Sequence, residues 1–182
     1  MKTVLALLIV TIGALAPVVT SGSAGAPAIK VTEEGGVYHV VASFVVPEPP
    51  ETALSVLKDY EAIPRFMPDL RLSRVRERDG ARVLVEQEGV SRMMMFSKRV
   101  HLVLDIQEED DALRFTDVCG RSFSHYAGAW LLHARGTHST IRYELSAKPA
   151  FSVPEFLLTR LLKRDAAVMI ERLRQEIAAR GR

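Results

Sequence analysis

The sequence predicts an α+β fold in which a curved antiparallel sheet of about seven strands packs against one long C-terminal helix. One observation is an apolar stripe in residues 153–180 that repeats every three or four positions, the period of an α-helix. The other is a series of alternating segments between residues 38 and 150, separated by turn signals that favour antiparallel pairing. Two short helices are expected after the first strand.

The C-terminal helix is the longest predicted element. Ser152 and Glu155 fit a capping box, and Pro154 suits a first helical turn. The helix would run roughly 40 Å, enough to cross a small domain, so its apolar stripe requires a large apolar partner. The core positions of the stripe are Leu158, Leu162, Ala166, Met169, Leu173 and Ile177.

Turn-forming residues delimit the elements that precede this helix. Pro47 ends the first strand, and Pro68 ends the second short helix. The dipeptide Asp79-Gly80 predicts a tight hairpin. In order, the predicted elements are a strand at residues 38–46, helices at 51–58 and 59–67, and strands at 70–78, 81–89, 93–107, 113–119, 123–134 and 140–150.

Composition is that of an ordinary globular domain. The chain has 182 residues, of which 48% are hydrophobic and 25% charged, long enough for one domain with a substantial core. A formal net charge of +2 gives no indication of a nucleic-acid partner. Cys119 is the only cysteine, which excludes an intrachain disulfide and a cysteine-based metal cluster.

The N-terminus has the layout of a secretory signal peptide: Lys2, an apolar run through residue 16, and small residues at 21–28. Gly13 and Pro17 interrupt the run, which is short for a bilayer span of about 20 residues, so cleavage is favoured over an uncleaved anchor. Together with the predominance of arginine over lysine, this predicts a periplasmic or secreted bacterial protein. The predicted division is a signal peptide (1–26, cleaved between 24 and 28), a short linker (27–36) and one domain (37–182).

Two motifs resemble those of a known superfamily. The segment ALSVLKDYEAIPRFMPDL, residues 53–70, and the strand motif Gly128-x-Trp130-x-Leu132 are similar to those of the START-like, helix-grip proteins grouped as SRPBCC. The closest similarity is to the branch of coenzyme-Q-binding proteins and polyketide cyclase/dehydrase relatives. In the first segment the matching positions are Asp59, Glu61, Pro64, Phe66 and Pro68, with Ile63 where an aromatic residue is usual.

The resemblance covers residues 36–180 and implies a helix-grip fold like that of the birch pollen allergen. In that fold the sheet grips the C-terminal helix, and a deep apolar cavity lies between them. The two short helices would close one end of the cavity. This implies a protein that binds a hydrophobic small molecule.

The apolar positions predicted to face inward could line such a cavity, because ligand pockets are mostly apolar with a few polar groups. The alternative for each is close packing in the core. Tyr126 and Trp130 are the better cavity candidates, since their polar ends suit a partly apolar cavity. The full set is Phe44, Val85, Met94, Phe96, Leu102, Phe115, Tyr126, Trp130, Tyr143, Leu158 and Met169.

Four polar residues are further cavity candidates. Asp165 falls within the apolar arc of the C-terminal helix, where an unpaired carboxylate would be costly, so it either meets Arg99 or Arg142 from the sheet or faces a polar cavity wall. His125, next to Tyr126, could serve acid-base chemistry, although a structural role is favoured. The five histidines have no metal-ligand spacing, and we assign no catalytic residue, metal or cofactor.

The sequence therefore favours an exported protein that binds a lipid, an isoprenoid or a polyketide-like molecule. One alternative is a cyclase or dehydratase that acts on a poly-carbonyl or aromatic substrate. Another is a membrane-surface interaction module, because a cluster of arginines between Arg65 and Arg82 could attract anionic lipid headgroups. The expected partners are a hydrophobic small molecule and, peripherally, an anionic membrane, but no nucleic acid.

Overall fold

The computed structural model of the chain describes residues 25–93 and 96–182. Almost all of the predicted signal peptide, residues 1–26, lies outside this part, as does Met94. The strands are β1 (Ala28–Glu34), β2 (Val37–Val46), β3 (Leu70–Asp79), β4 (Arg82–Met93), β5 (Phe96–Glu108), β6 (Ala112–Asp117), β7 (Phe123–Arg135) and β8 (His138–Pro149). The helices are α1 (Pro50–Lys58), a 3-10 turn (Tyr60–Ala62), α2 (Ile63–Phe66) and α3 (Glu155–Arg180).

All eight described strands form one antiparallel sheet in the order β1-β2-β8-β7-β6-β5-β4-β3. Strands β3 to β8 are neighbours in sequence order, as expected for segments joined by short turns. Gly80 has a φ of 55° at the predicted Asp79-Gly80 hairpin, a conformation that favours glycine. The antiparallel sheet and the long terminal helix confirm the predicted fold class.

Strand β1 is a correction to the sequence analysis, which assigned residues 27–36 to a linker. It forms a hairpin with β2 through Gly35 and Gly36, whose φ angles are 60° and 82°. Ile29 and Val31 of β1 pack against the core while their neighbours are exposed. Two apolar positions are too few to distinguish a strand from a linker by alternation alone, so the hairpin was not predicted.

Helix α3 packs across β1 and β2 and against the short helices α1 and α2. Its start differs from the prediction, because Pro154 takes the cap position and no side chain caps the helix. Ser152 therefore lies too far upstream to form a capping box with Glu155. Six residues of α3 are buried: Leu158, Leu161, Ala166, Ile170, Leu173 and Ile177.

The core lies between α3, α1 and the covered half of the sheet. Phe44 of β2 and Ile141 of β8 are register partners, and both are buried beneath the helices with Ile177 of α3. No helix in the described residues is long and apolar enough to cross a membrane. Helix α3 contacts the sheet at strands β1 and β2, near one edge. The inner faces of β4 to β6 therefore remain free to line the cavity described next.

Candidate ligand cavity

A cavity of about 630 Å³ lies between α3 and the inner face of the sheet. Its walls come from inward-facing residues of β2 and of β4 to β8, and from all three helices. Most of the lining is apolar, and pockets of this size and character commonly hold small organic ligands. The packed core therefore leaves an internal space that its own side chains do not fill.

One side of the cavity is formed by aromatic side chains of β6, β7 and β8, which we call the aromatic wall. The ring centroids of Trp130 and Tyr143 are 4.4 Å apart, and those of Phe123 and Tyr126 are 4.9 Å apart. Phe115 joins the two pairs, at 5.9 Å from Tyr126 and 6.4 Å from Tyr143. These separations are typical of favourable aromatic packing, so the five rings hold one another in place.

Gly128 makes this arrangement possible. It lies on the cavity side of β7 between Tyr126 and Trp130, and its register partner on β6 is Phe115. A Cβ atom at this position would lie 2.6 Å from Cζ of Phe115 and would also overlap the carbonyl oxygen of Glu144. Glycine is required here because the Phe115 ring occupies the volume that any side chain would need.

Tyr126 and Tyr143 bring two hydroxyl groups into the aromatic wall, close enough for each tyrosine to affect the pKa of the other. Burial raises the pKa of Tyr126 to about 12, because the phenolate would be poorly solvated. Burial likewise raises the pKa of Tyr143 well above its ordinary value. Both phenols are therefore neutral at physiological pH.

Another part of the cavity lining carries charge. Asp69 before β3, Lys98 of β5, and Arg164 and Asp165 of α3 line it, and we call these four residues the charged rim. The Arg164 guanidinium lies 2.7 Å from the Asp165 carboxylate, and Lys98 Nζ lies 4.8 Å from the centroid of the Phe151 ring. Each of these three charges is thus held by a neighbouring side chain.

Asp165 does not meet either arginine predicted for it, because Arg99 is exposed and Arg142 pairs with Glu144 at 2.6 Å. Its partner is instead its chain neighbour Arg164. Burial raises the pKa of Asp165, and this effect outweighs the Arg164 guanidinium, which lowers it. The carboxylate of Asp69 adds to the increase.

Tyr60 closes the cavity near the short helices. Its hydroxyl donates a hydrogen bond of 2.9 Å to Glu108 Oε1. Glu108 also pairs with Arg78 at 3.1 Å and with Lys58 at 3.5 Å. Burial, reinforced by the bond to Glu108, raises the pKa of Tyr60. This end is therefore fastened by an ion-pair network that joins α1, β3 and β5.

The structure places most of the sequence-predicted cavity residues in the lining. Among the candidates with polar groups, Trp130, Tyr126 and Asp165 line the cavity, Asp165 at the rim. The other candidates in the lining are Leu102, Phe115, Tyr143, Leu158 and Met169.

The remaining candidates lie elsewhere. Phe44 and Val85 are buried in the packed core. Both side chains point inward, but they contact other core side chains and not the cavity. His125 is exposed and bonds to the Ser146 hydroxyl at 2.9 Å, since it points to the face opposite Tyr126. Arg99 and Arg142 are also exposed. Met94 and the side chain of Phe96 lie outside the part of the chain that the structure describes.

Several lining residues were not predicted from the sequence. Tyr38 begins the first predicted strand, and Lys98 shares the inner face of β5 with Leu102, so alternation could have found both. Phe66 and Phe151 lie in a short helix and in a loop, where no periodicity assigns a direction. These two depend on how α2 and the segment before α3 fold over the sheet.

A second cluster of titratable groups lies on the outer face of β3 to β5. Oxygen and nitrogen atoms of Glu86, Glu88 and His101 lie within 4.8 Å of one another. Glu86 is already paired with Arg74 at 2.6 Å and with Arg76 at 3.1 Å. The hydrogen bond from Arg74 lowers the pKa of Glu86, so we interpret this cluster as a structural ion-pair network.

Solved structures share this fold. A protein of Thermus thermophilus aligns with 78% of this chain and 97% of its own, at 23% identity and a TM-score of 0.67. An aromatase/cyclase of a Streptomyces species aligns with 80% of this chain and 96% of its own, at 11% identity and a TM-score of 0.69. A STAR-related lipid transfer protein fragment of Xanthomonas axonopodis aligns with 85% and 99%, at 15% identity and a TM-score of 0.59.

No curated protein matches the chain in sequence. A family match does cover most of it: residues 46–174 match the family described as polyketide cyclase/dehydrase and lipid transport. The matched segment runs from the end of β2 into α3, and so includes Gly128 and the aromatic wall. The chain therefore belongs to the polyketide cyclase/dehydrase and lipid transport family.

Proposed function

We propose that this chain is an exported carrier that binds a lipid, an isoprenoid or a polyketide-like molecule in the cavity beneath α3. The observation that carries the proposal is the cavity itself, about 630 Å³ in volume and mostly apolar. Removing apolar ligand surface from water there would contribute about 25 cal/mol per Å². The family and the fold are consistent with binding of this kind.

A carrier is favoured over a cyclase because the polar candidates for catalysis do not converge. His125 is on the outer face, Asp165 is at the rim, and Tyr126 is in the aromatic wall. Among the described lining residues there is no histidine or cysteine. Acid-base catalysis needs groups within hydrogen-bonding reach of the same substrate atoms, and these three do not offer such a set.

Export is proposed from the signal-peptide pattern of residues 1–28. A carrier in the periplasm would collect and release its ligand at a membrane. Four arginines of the predicted basic cluster are already paired with carboxylates, namely Arg74, Arg76, Arg78 and Arg82. Peripheral membrane contact is better supported at the start of α3, where Phe156 is 72% exposed and the cations Arg160 and Lys163 follow it.

The proposal is tested by ligand extraction and by probe binding. The mature chain is purified without detergent, and its organic extract is examined by mass spectrometry for a stoichiometric apolar compound. In parallel, the chain is titrated with diphenylhexatriene, a hydrocarbon probe that fluoresces in apolar surroundings. We expect saturable binding at one site. No stoichiometric compound together with no saturable probe binding would overturn the proposal.

A pair of variants on one strand provides the control. Val100 of β5 lines the cavity, and Val103 of the same strand faces the opposite side of the sheet. Val100→Trp should fill the cavity and weaken probe binding by more than roughly tenfold. Val103→Trp should leave it unchanged. Equal effects of the two substitutions would place the probe outside the cavity.

A further inference from the structure

We infer that the hydroxyl groups of Tyr126 and Tyr143, the tyrosine pair, anchor an uncharged oxygen atom of the ligand. The ligand class is then a neutral lipid that carries a hydroxyl, ketone or ester group, and not an ionised fatty acid. This inference rests on the proposed function, because it names the chemistry of the head group that the same cavity takes.

The tyrosine pair is held rigidly by its neighbours. Tyr143 is the register partner of Trp130, while Tyr126 lies two residues before Gly128 on the same strand. Since Gly128 has no side chain, the Phe115 ring packs over it and contacts both tyrosines. Groups fixed in this way lose little further freedom when they bind a ligand.

Counting hydrogens identifies what the pair can offer. Two hydroxyls carry two hydrogens, and a bond between Tyr126 and Tyr143 can use only one of them. No other hydrogen-bond partner of either hydroxyl is found in the described residues. A buried donor without an acceptor costs about 1–3 kcal/mol, so a ligand oxygen that accepts this second hydrogen is favoured over a hydrocarbon surface.

The charges around the pair disfavour an anion. The charged group that acts on Tyr126 is the Asp117 carboxylate, which is itself negative. That carboxylate already accepts backbone N–H groups of Val103 at 2.9 Å and Gly120 at 3.0 Å, so it is not available as a ligand partner. A carboxylate head at the pair would therefore lose its hydration beside a negative group.

The cations of the cavity are engaged elsewhere. Lys98, on β5, lies against the Phe151 ring, and Arg164, on α3, pairs with Asp165. Both belong to the charged rim and not to the aromatic wall. An ionised acid would thus meet a cation only at the rim, with its chain in the cavity. A neutral head group is instead expected to bind at the tyrosine pair.

The inference is tested by competition against bound diphenylhexatriene with three ligands of equal chain length: dodecane, dodecanol and dodecanoate. Wild-type protein should bind dodecanol roughly fivefold more tightly than dodecane, the equivalent of one hydrogen bond. It should bind dodecanoate more weakly than dodecanol. The double variant Tyr126→Phe, Tyr143→Phe should lose this preference, because its lining offers the dodecanol hydroxyl no partner at this position.

Tyr60→Phe is the matched control, because Tyr60 also lines the cavity but its hydroxyl is used by Glu108. It should retain the preference for dodecanol. Three results would each overturn the inference while the carrier function stands. They are equal binding of dodecane and dodecanol by wild-type protein, a preference for dodecanol that survives in the double variant, and tightest binding of dodecanoate. Failure of the probe to bind wild-type protein would overturn both. Thermal melts establish that each variant is folded.

Discussion

The aromatic wall and the charged rim are two sides of one cavity with opposite chemistry. The wall is built from five rings around Gly128, and its two hydroxyls are neutral. The rim carries two cations and two carboxylates, partly exposed and paired among themselves or with an aromatic ring. From this difference we expect that affinity comes mainly from the apolar wall and that access is through the rim, where the charges are at least partly exposed.

The largest effect on stability and binding should come from Gly128→Ala, which disrupts the packing of the aromatic wall. The new methyl group would lie 2.6 Å from Phe115 Cζ, so the ring must move or the strand must shift. We expect a loss of about 1–3 kcal/mol in the free energy of unfolding, together with weaker probe binding. Urea titration and diphenylhexatriene binding measure the two effects.

Ala127→Ser is the control, because Ala127 precedes Gly128 on β7 and faces the opposite side of the sheet. Its stability should stay within about 0.5 kcal/mol of wild type. If Gly128→Ala were as harmless as this control, the close packing of Phe115 against β7 would be refuted.

A smaller effect on stability and binding is expected from Lys98→Ala, which removes one cation of the charged rim. The substitution removes the contact of Lys98 with the Phe151 ring and should cost about 0.5–1 kcal/mol of stability. Probe affinity should change by less than roughly twofold, because a neutral ligand gains little from a solvated charge. A loss of affinity as large as that of Gly128→Ala would contradict the division between wall and rim.

The smallest effect is expected from Asp165→Asn. Burial raises the pKa of Asp165, so the folded chain binds more protons than the unfolded chain between the ordinary and the raised pKa. The free energy of unfolding of the wild type therefore falls as the pH rises through this window. The amide variant should be more stable at neutral pH, by less than about 1 kcal/mol since the side chain is 42% exposed, and should lose this advantage in acid.

Stability curves of the two proteins between acid and neutral pH test this prediction. A difference that grows on acidification would have the wrong sign for a raised pKa.

Periodicity in the sequence was sufficient to predict the sheet, the two short helices and α3, because each depends on local alternation or on a helical repeat. The same alternation could have separated Tyr126, which faces the cavity, from His125, which was kept as a cavity candidate and faces the other side. It could not separate Trp130 from Phe44, since both face inward and only the position of α3 decides which of them meets open space. Alternation could not predict lining residues in loops, such as Phe151, because their positions also depend on how the chain folds over the sheet.

The most direct test of the central claim uses Trp130, the single tryptophan of the chain, which lies in the cavity wall. Bromododecane quenches tryptophan fluorescence only over short distances, so its titration reports whether an apolar guest reaches the wall. We predict saturable quenching that is reversed by excess dodecane. Emission that stays unchanged at saturating bromododecane would contradict a ligand site in this cavity.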